Sequence, residues 1–365
     1  MKILAPKDQL AQGVKMVASL ASSGTSLGTQ GILIEAEGDS LLMGASDGEV
    51  TATHLVPEVK VEKPGRALVD AVLGNLILDL TDETVTLELN QDGTALKVSA
   101  QGKDYEVPTS DPDEYRGLER ETGGECLVLK SEALRSAVTR TAFVVAKEGA
   151  RYALHGLLLD VDDQGKANFV GSDGRRLSWV WTDPEEKPSK PGQYLVPKRA
   201  LYDFLKGIPP EGETVKLEFK GGKMSLEMGR TTVVAQLIEG EYPEYKAVVP
   251  KETANLARIP ARPFEEALRR IILISSKESP AARLLFHSSG ELEISAGMGG
   301  KAGKEILEVQ LEGEGSEVSF NPVYILEFLR AAGREVVSLG FTDNQVAGKF
   351  LGGEDFVHII MPLTL

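Results

Sequence analysis

The chain has 365 residues, 42% of them apolar, enough for two or three domains of roughly 100 to 200 residues. Its 55 Asp and Glu against 40 Lys and Arg give a net charge of −15, which argues against a protein that grips nucleic acid by broad phosphate neutralisation. The single cysteine, Cys126, excludes an intrachain disulfide and reads as a small buried hydrophobe; no run approaches the roughly 18 apolar residues of a membrane span, and Met1-Lys2-Ile3-Leu4-Ala5-Pro6-Lys7 lacks a signal-peptide core, so a cytoplasmic protein without a membrane partner is expected.

A first helix is predicted after Pro6, with Leu10, Val14 and Val17 on one face and Lys7, Asp8, Gln12 and Lys15 on the other. Strands follow over 31–36, 40–44 and 50–56, separated by Glu37-Gly38-Asp39 and Asp47-Gly48. A short helix over 69–78 precedes a meander over 84–89, 95–100 and 103–107. The second segment repeats the order. Ser131 is a plausible N-cap for a helix with Leu134, Ala137, Val138 and Thr141 on one face. Strands over 154–161 and from 167 flank the turn Asp162-Asp163-Gln164-Gly165, and Ser172-Asp173-Gly174 interrupts the return. Pro197 then suits the first turn of a helix carrying Leu201, Phe204, Leu205 and Ile208, followed by strands over 214–220, 223–228 and 231–237. In the third segment Pro263 opens a helix with Phe264, Ala267, Leu268, Ile271 and Ile272 on one stripe. Strands over 283–287, 291–295 and 304–311 lead to a helix capped by Asn321-Pro322 and stopped by Gly333, and strands over 335–341, 345–350 and 354–361 close the chain.

Ser172-Asp173-Gly174 lies 126 positions after Ser46-Asp47-Gly48. A period this long makes each copy a domain rather than a solenoid repeat. The expected domains span 1–120, 127–247 and 254–365, joined by exposed linkers over 116–125 and 246–258. Single amphipathic helices against antiparallel strands predict an α+β fold with the helices on one side. Open strand edges at the ends of such a layer invite head-to-tail closure with a second chain.

Four stretches carry a family resemblance across the whole chain: Arg151-Tyr152 with Leu154 and Gly156, Ser172-Asp173-Gly174-Arg175-Arg176-Leu177, Gly240-Glu241-Tyr242-Pro243-Glu244-Tyr245, and Met361-Pro362-Leu363-Thr364-Leu365. With them the chain resembles the bacterial DNA polymerase sliding clamp, the beta subunit of the DNA polymerase III holoenzyme. The resemblance implies three tandem clamp domains, each with two helices on antiparallel sheets, forming half of a closed homodimeric ring through which double-stranded DNA passes. It implies a non-enzymatic processivity factor that tethers a polymerase, an effective-concentration effect. Enclosure also reconciles DNA binding with a net acidic chain, provided the inner helices are locally basic.

The same resemblance assigns sites. A partner-peptide pocket takes Leu154, Leu177, Pro243, Val248, Met361, Pro362 and Leu363, with Arg151, Ser172, Gly174, Arg175 and Arg176 at its rim. Its implied partners are the DNA polymerase III alpha subunit, the clamp loader, and other DNA polymerases and repair proteins that carry short linear motifs. Each apolar member taken alone reads as core more readily than as pocket. Lys147, Tyr152, Lys198, Arg199 and Arg283 match DNA-facing positions, and Arg135, Arg140, Arg269 and Arg270 are further basic candidates. In the first domain Val72 and Leu73 depart from a basic pattern. Leu273 and Ile274 match the ring interface, with burial in the third domain's own core as the competing reading.

Other constellations fail. Gly297-Met298-Gly299-Gly300-Lys301-Ala302-Gly303-Lys304 has Met298 where a phosphate loop needs Gly and Glu305 where it needs Ser or Thr, and it joins two strands, so it reads as a hairpin loop. His54, His155, His287 and His358 show no metal spacing, and neither metal nor cofactor is expected. A hydrolase using the repeated Ser-Asp-Gly turns lacks a partner base and a Gly-x-Ser-x-Gly elbow. The nearer rival is a clamp-like scaffold that binds peptides without encircling DNA.

Overall fold

Proline stands at the entrance of both long helices. In the computed structural model, which describes residues 1–22, 30–146, 152–207 and 212–364, Pro6 sits extended before Lys7–Ala21, and Pro260 sits extended before Ala261–Ile274. A fixed φ and a missing N–H suit that position. Leu10, Val14 and Val17 of the first helix are fully buried, as are Phe264, Ala267 and Leu268 of the second. The helix Pro322–Ala332 has the cap read from its sequence. Asn321 Oδ1 accepts from the Val323 amide at 2.9 Å, and Gly333 turns left-handed at φ 57° to end it.

By internal contacts the chain forms two units. The first comprises Met1–Leu134, Pro184–Lys190 and Arg199–Leu237. Its described residues form a 13-stranded sheet in which Thr231–Gln236 pairs with Val50–Val56, Thr231 lying opposite His54 and Ala235 opposite Val50. The second comprises Arg135–Asp183, Pro191–Lys198 and Ile238–Leu365. Its described residues form a nine-stranded and a four-stranded sheet. In the larger of these, Arg176–Thr182 pairs with Phe356–Ile360, with Leu177 opposite Ile359 and Trp179 opposite Val357. The strand pairs are antiparallel and the helices Ala261–Ile274 and Pro322–Ala332 pack together, so the α+β expectation is borne out.

Several expectations need correction. The helix after Pro197 runs only over Lys198–Tyr202; Phe204 is still buried, but Leu205–Gly207 is a tighter 3-10 turn closed by Gly207 N–H to the Phe204 carbonyl at 2.8 Å, and Ile208 lies outside the described residues. Leu154 belongs to a 3-10 turn, Tyr152–His155, and the strand begins at Gly156. The segment 246–258 is not wholly a linker. Asn255–Pro260 is a strand between Val336–Phe341 and Gln310–Glu312, with Ala257 fully buried; the flanking Asn and Pro had suggested a turn. The 116–125 segment is tied down, because the nearly buried Glu218 carboxylate accepts from the amides of Gly123 and Gly124 at 2.5 and 3.0 Å and from Arg120 at 3.1 Å. Those bonds hold Glu218 below the usual carboxylate range. Cys126 is half-buried rather than core. The Gly-rich stretch is a hairpin, with Gly299 and Gly300 both at positive φ between Glu291–Met298 and Lys301–Glu308.

Candidate functional site

The turn Ser172-Asp173-Gly174 ends the strand Ala167–Ser172 and re-aims the chain into Arg176–Thr182. Asp173 Oδ1 accepts from the amides of Arg175 and Arg176, each at 3.0 Å, Ser172 Oγ accepts from Gly174 N–H at 3.1 Å, and Gly174 supplies the positive φ of 85°. The next residue, Leu177, lies opposite both Ser172 and Ile359 in the sheet. This places an apolar floor between two strands that belong to different segments of the sequence. Beyond Ile360, the Met361 amide donates to the Arg175 carbonyl at 2.9 Å, so the chain continues along the turn.

A pocket of about 200 Å³ opens there. It is lined by Leu154, by Ser172, Gly174, Arg175, Arg176 and Leu177 of the turn and its strand, by Tyr242, Pro243, Glu244, Tyr245 and Val248, and by Ile359 and Met361. Leu154, Leu177, Tyr245 and Ile359 are buried, and the last three belong to a core cluster with Leu158, Val170 and Val357. Core and pocket floor are the same residues. At the lip the exposure reverses, with Val248 49% and Met361 47% exposed.

The polar part of the site is fixed by its own partners. Arg176 has a side chain only 9% exposed; its Nε lies 3.0 Å from Asp173 Oδ2, it pairs with Glu327, and its guanidinium sits 4.1 Å above the Tyr324 ring. It therefore ties the rim to the helix Pro322–Ala332. Arg175, by contrast, is exposed. Tyr245 donates to Asp160 Oδ2 at 2.7 Å; burial first and that carboxylate second push its phenol well above the ordinary range. Burial, then the Asp173 charge, does the same to Tyr242.

Of the residues read from the sequence, Leu154, Ser172, Gly174, Arg175, Arg176, Leu177, Pro243, Val248 and Met361 come together here. Pro362 and Leu363 do not line the pocket, and the Leu363 amide donates instead to the Ser319 carbonyl at 2.7 Å. Arg151, Lys147 and the side chain of Tyr152 lie outside the described residues.

Five of the basic candidates elsewhere are held by carboxylates. Arg199 lies 2.5 Å from Asp47 and 3.7 Å from Asp203, and Arg283 lies 2.5 Å from Glu317. Arg140 meets Asp355 at 3.2 Å, Arg269 meets Glu265 at 2.5 Å, and Arg270 makes two bonds to Glu305. Lys198 is half-buried. Leu273 is 78% exposed, so it is not core; Ile274 is half-buried with its Cδ1 against Gly303. Among the described residues no group of His, Cys, Asp and Glu is arranged to hold a metal ion, and no helix is long and apolar enough to cross a membrane.

Comparison with known proteins matches residues 1–119 to the N-terminal domain, 128–244 to the central domain and 246–364 to the C-terminal domain of the DNA polymerase III beta subunit. The chain belongs to the DNA polymerase III beta subunit family. A Beta sliding clamp of Chlamydia muridarum is 26% identical over 100% of this chain and 99% of its own, and one of Streptomyces coelicolor is 28% identical with both chains covered throughout. Among solved structures, a DNA polymerase sliding clamp of Pseudomonas aeruginosa shares the fold at a TM-score of 0.93 and 23% identity over all of both chains. One of Bacillus subtilis does so at 0.93 and 20%, over 100% of this chain and 99% of that one. The reading of a sliding clamp of tandem clamp domains is borne out, and nothing favours the scaffold or the hydrolase.

Within this beta subunit chain the sequence reading missed Tyr242, Glu244, Tyr245 and Ile359 as pocket residues. Three of them lie inside Gly240-Glu241-Tyr242-Pro243-Glu244-Tyr245, a stretch that carried the resemblance, and a Tyr-Pro-Glu-Tyr run beside Pro243 was the available signal. Ile359 gave none. Only the strand register across two segments places it opposite Leu177.

Proposed function

We propose that the chain closes head-to-tail with a second copy into a ring around duplex DNA and tethers partner proteins through the pocket at Leu177. The observation that carries this reading is an apolar pocket whose floor is core and whose lip leaves Val248 and Met361 exposed, in a member of the beta subunit family. Such a site suits an extended segment, because alternate side chains enter the pocket while the rim sets register. The partners of this reading are the DNA polymerase III alpha subunit, the clamp loader and other polymerases and repair proteins. Catalysis has no part in it.

In the same reading the working domains are 1–120, 127–247 and 254–365. Exposed Leu273 with Ile274 meets the second copy, and Arg199, Arg283, Lys198, Lys147 and Tyr152 face DNA. The ion pairs of Arg199 and Arg283 support a DNA grip that is loose. A ring that slides needs enclosure more than phosphate contacts. The test is topological. Loaded onto nicked circular DNA with a clamp loader and washed in high salt, the protein is expected to stay until the circle is cut and then to leave. Loss in the wash would overturn the encircling reading.

A further inference from the structure

The strand that floors the pocket runs on beyond Leu177. Side chains two apart share a face of a strand, so Leu177, Trp179 and Trp181 of Arg176–Thr182 form one row. Their cross-strand neighbours follow the same order, with Ser172 opposite Leu177, Val170 opposite Trp179 and Asn168 opposite Trp181. Leu177 lies in the pocket. Trp179 meets Tyr245, another pocket wall, edge-on at 5.4 Å, and anchors its indole N–H on Asn168 Oδ1 at 3.0 Å. Trp181, 5.0 Å from Trp179, is half-buried and lines an open groove of about 520 Å³ with Asp162, Asp163, Gln164, Lys166, Asn168, Trp179 and Lys246. The short 3-10 turn Tyr245–Val248 is the partition, with Tyr245 and Val248 facing the pocket and Lys246 the groove.

We infer that this groove is a second subsite for the same bound segment, and that it takes a tyrosine-like aromatic residue flanking the part held in the pocket. The inference rests on the pocket reading above. Four residues of strand separate Leu177 from Trp181, about 13 Å, which an extended peptide crosses in about four residues. The groove's chemistry selects the side chain. Trp181 offers a ring face, and the exposed Asp163 carboxylate offers an acceptor for a phenol. The lining sets two carboxylates, Asp162 and Asp163, against two ammonium groups, Lys166 and Lys246, so little net charge is left to recruit a charged residue.

The test compares a fluorescent pentapeptide with leucines at alternate positions against the same peptide extended, at either end, by three glycines and a tyrosine. Peptides extended by four glycines serve as controls. One tyrosine extension is expected to bind roughly tenfold tighter than its glycine control. Trp181→Ala should remove that gain while leaving the pentapeptide's affinity unchanged, which also reports that the sheet has folded. Trp179 and Trp181 are the only tryptophans, so the tyrosine extension should shift intrinsic emission beyond the change its glycine control produces. Equal affinities of the tyrosine and glycine extensions, or a gain that survives Trp181→Ala, would overturn the subsite and leave the pocket standing. No binding of any peptide would overturn the pocket reading and the subsite with it.

Discussion

The two Ser-Asp-Gly turns have the same local geometry and opposite surroundings. In the first, Asp47 Oδ1 accepts from Glu49 and Val50 N–H at 3.0 and 2.8 Å and Gly48 takes φ 96°; in the second, Asp173 does the same for Arg175 and Arg176, with Gly174 at φ 85°. Each is followed by a strand that pairs with a strand from a later segment. The position after the turn differs. Thr51 stands in the first copy where Leu177 stands in the second, and the Thr51 hydroxyl accepts from the Leu118 amide at 2.7 Å, which seals the segment 115–118 onto the sheet. In the second copy the chain after Tyr242-Pro243-Glu244 bonds sideways, through Tyr245 to Asp160, and Leu177 lines a pocket instead. Thr51 and Leu177 are equally enclosed, at 4% and 5% exposed, and what differs is that the second turn borders a pocket. The repeat encodes the turn, and the segments packed around it decide whether the turn borders a site.

The largest expected effect separates the two arginines these turns hold. Arg176 is almost enclosed between Asp173 and Glu327, so Arg176→Ala strands a carboxylate pair and should lower unfolding stability by about 3 kcal/mol. Arg199 has a side chain 36% exposed, and the nearly enclosed Asp47 it would leave keeps two backbone amides on Oδ1, so the same change should cost less, about 1 to 2 kcal/mol. Urea titrations of the two variants check this, and equal losses would erase the contrast. Next comes the floor itself. Leu177→Thr gives the second copy the first copy's residue and, because Leu177 is already buried before a peptide binds, should weaken peptide affinity by only about 1 kcal/mol, roughly fivefold, by fluorescence anisotropy. An unchanged affinity would mean that the peptide does not rest on Leu177.

Much of this contrast was legible in the sequence because it is local. The Asp-Gly turns, the proline-led helices and the cap at Asn321 depend on residues within a few positions of one another. Short strands bearing Lys, Gly or Pro, such as Lys2–Pro6, Lys60–Lys63 and Gly65–Val69, gave no alternation to read and form only because a neighbouring strand supplies the hydrogen bonds. The pocket was half legible. Its rim and the partition at Tyr245 lie in short motifs, but Ile359 is brought in by pairing between strands more than 170 residues apart, Leu177 with Ile359. No periodicity within a window can show that.

The same pairing between segments sets the smallest effect, a pH dependence. Each junction carries a buried histidine bonded across it to a hydroxyl: His54 Nδ1 with Thr231 Oγ1 at 2.8 Å, and His358 Nδ1 with Ser178 Oγ at 2.7 Å. Burial lowers the pKa of both, aided by Arg230 at His54 and by Arg176 at His358, and the shift is the greater at His358, which is fully enclosed and stacked 5.3 Å from Phe328 and 5.7 Å from Phe143. Both rings are therefore neutral in the fold, whereas the unfolded chain binds a proton below about pH 6.5. Stability is full above that pH and falls as the pH drops through it, by at most about 1.4 kcal/mol per pH unit for each histidine. Between pH 7.5 and 5.5, His358→Gln should flatten the slope of stability against pH more than His54→Gln does. The slope is the quantity to read, since either substitution also changes packing. A slope untouched by His358→Gln would show that His358 does not set the response to acid, and that the two junctions are not distinguished by their histidines.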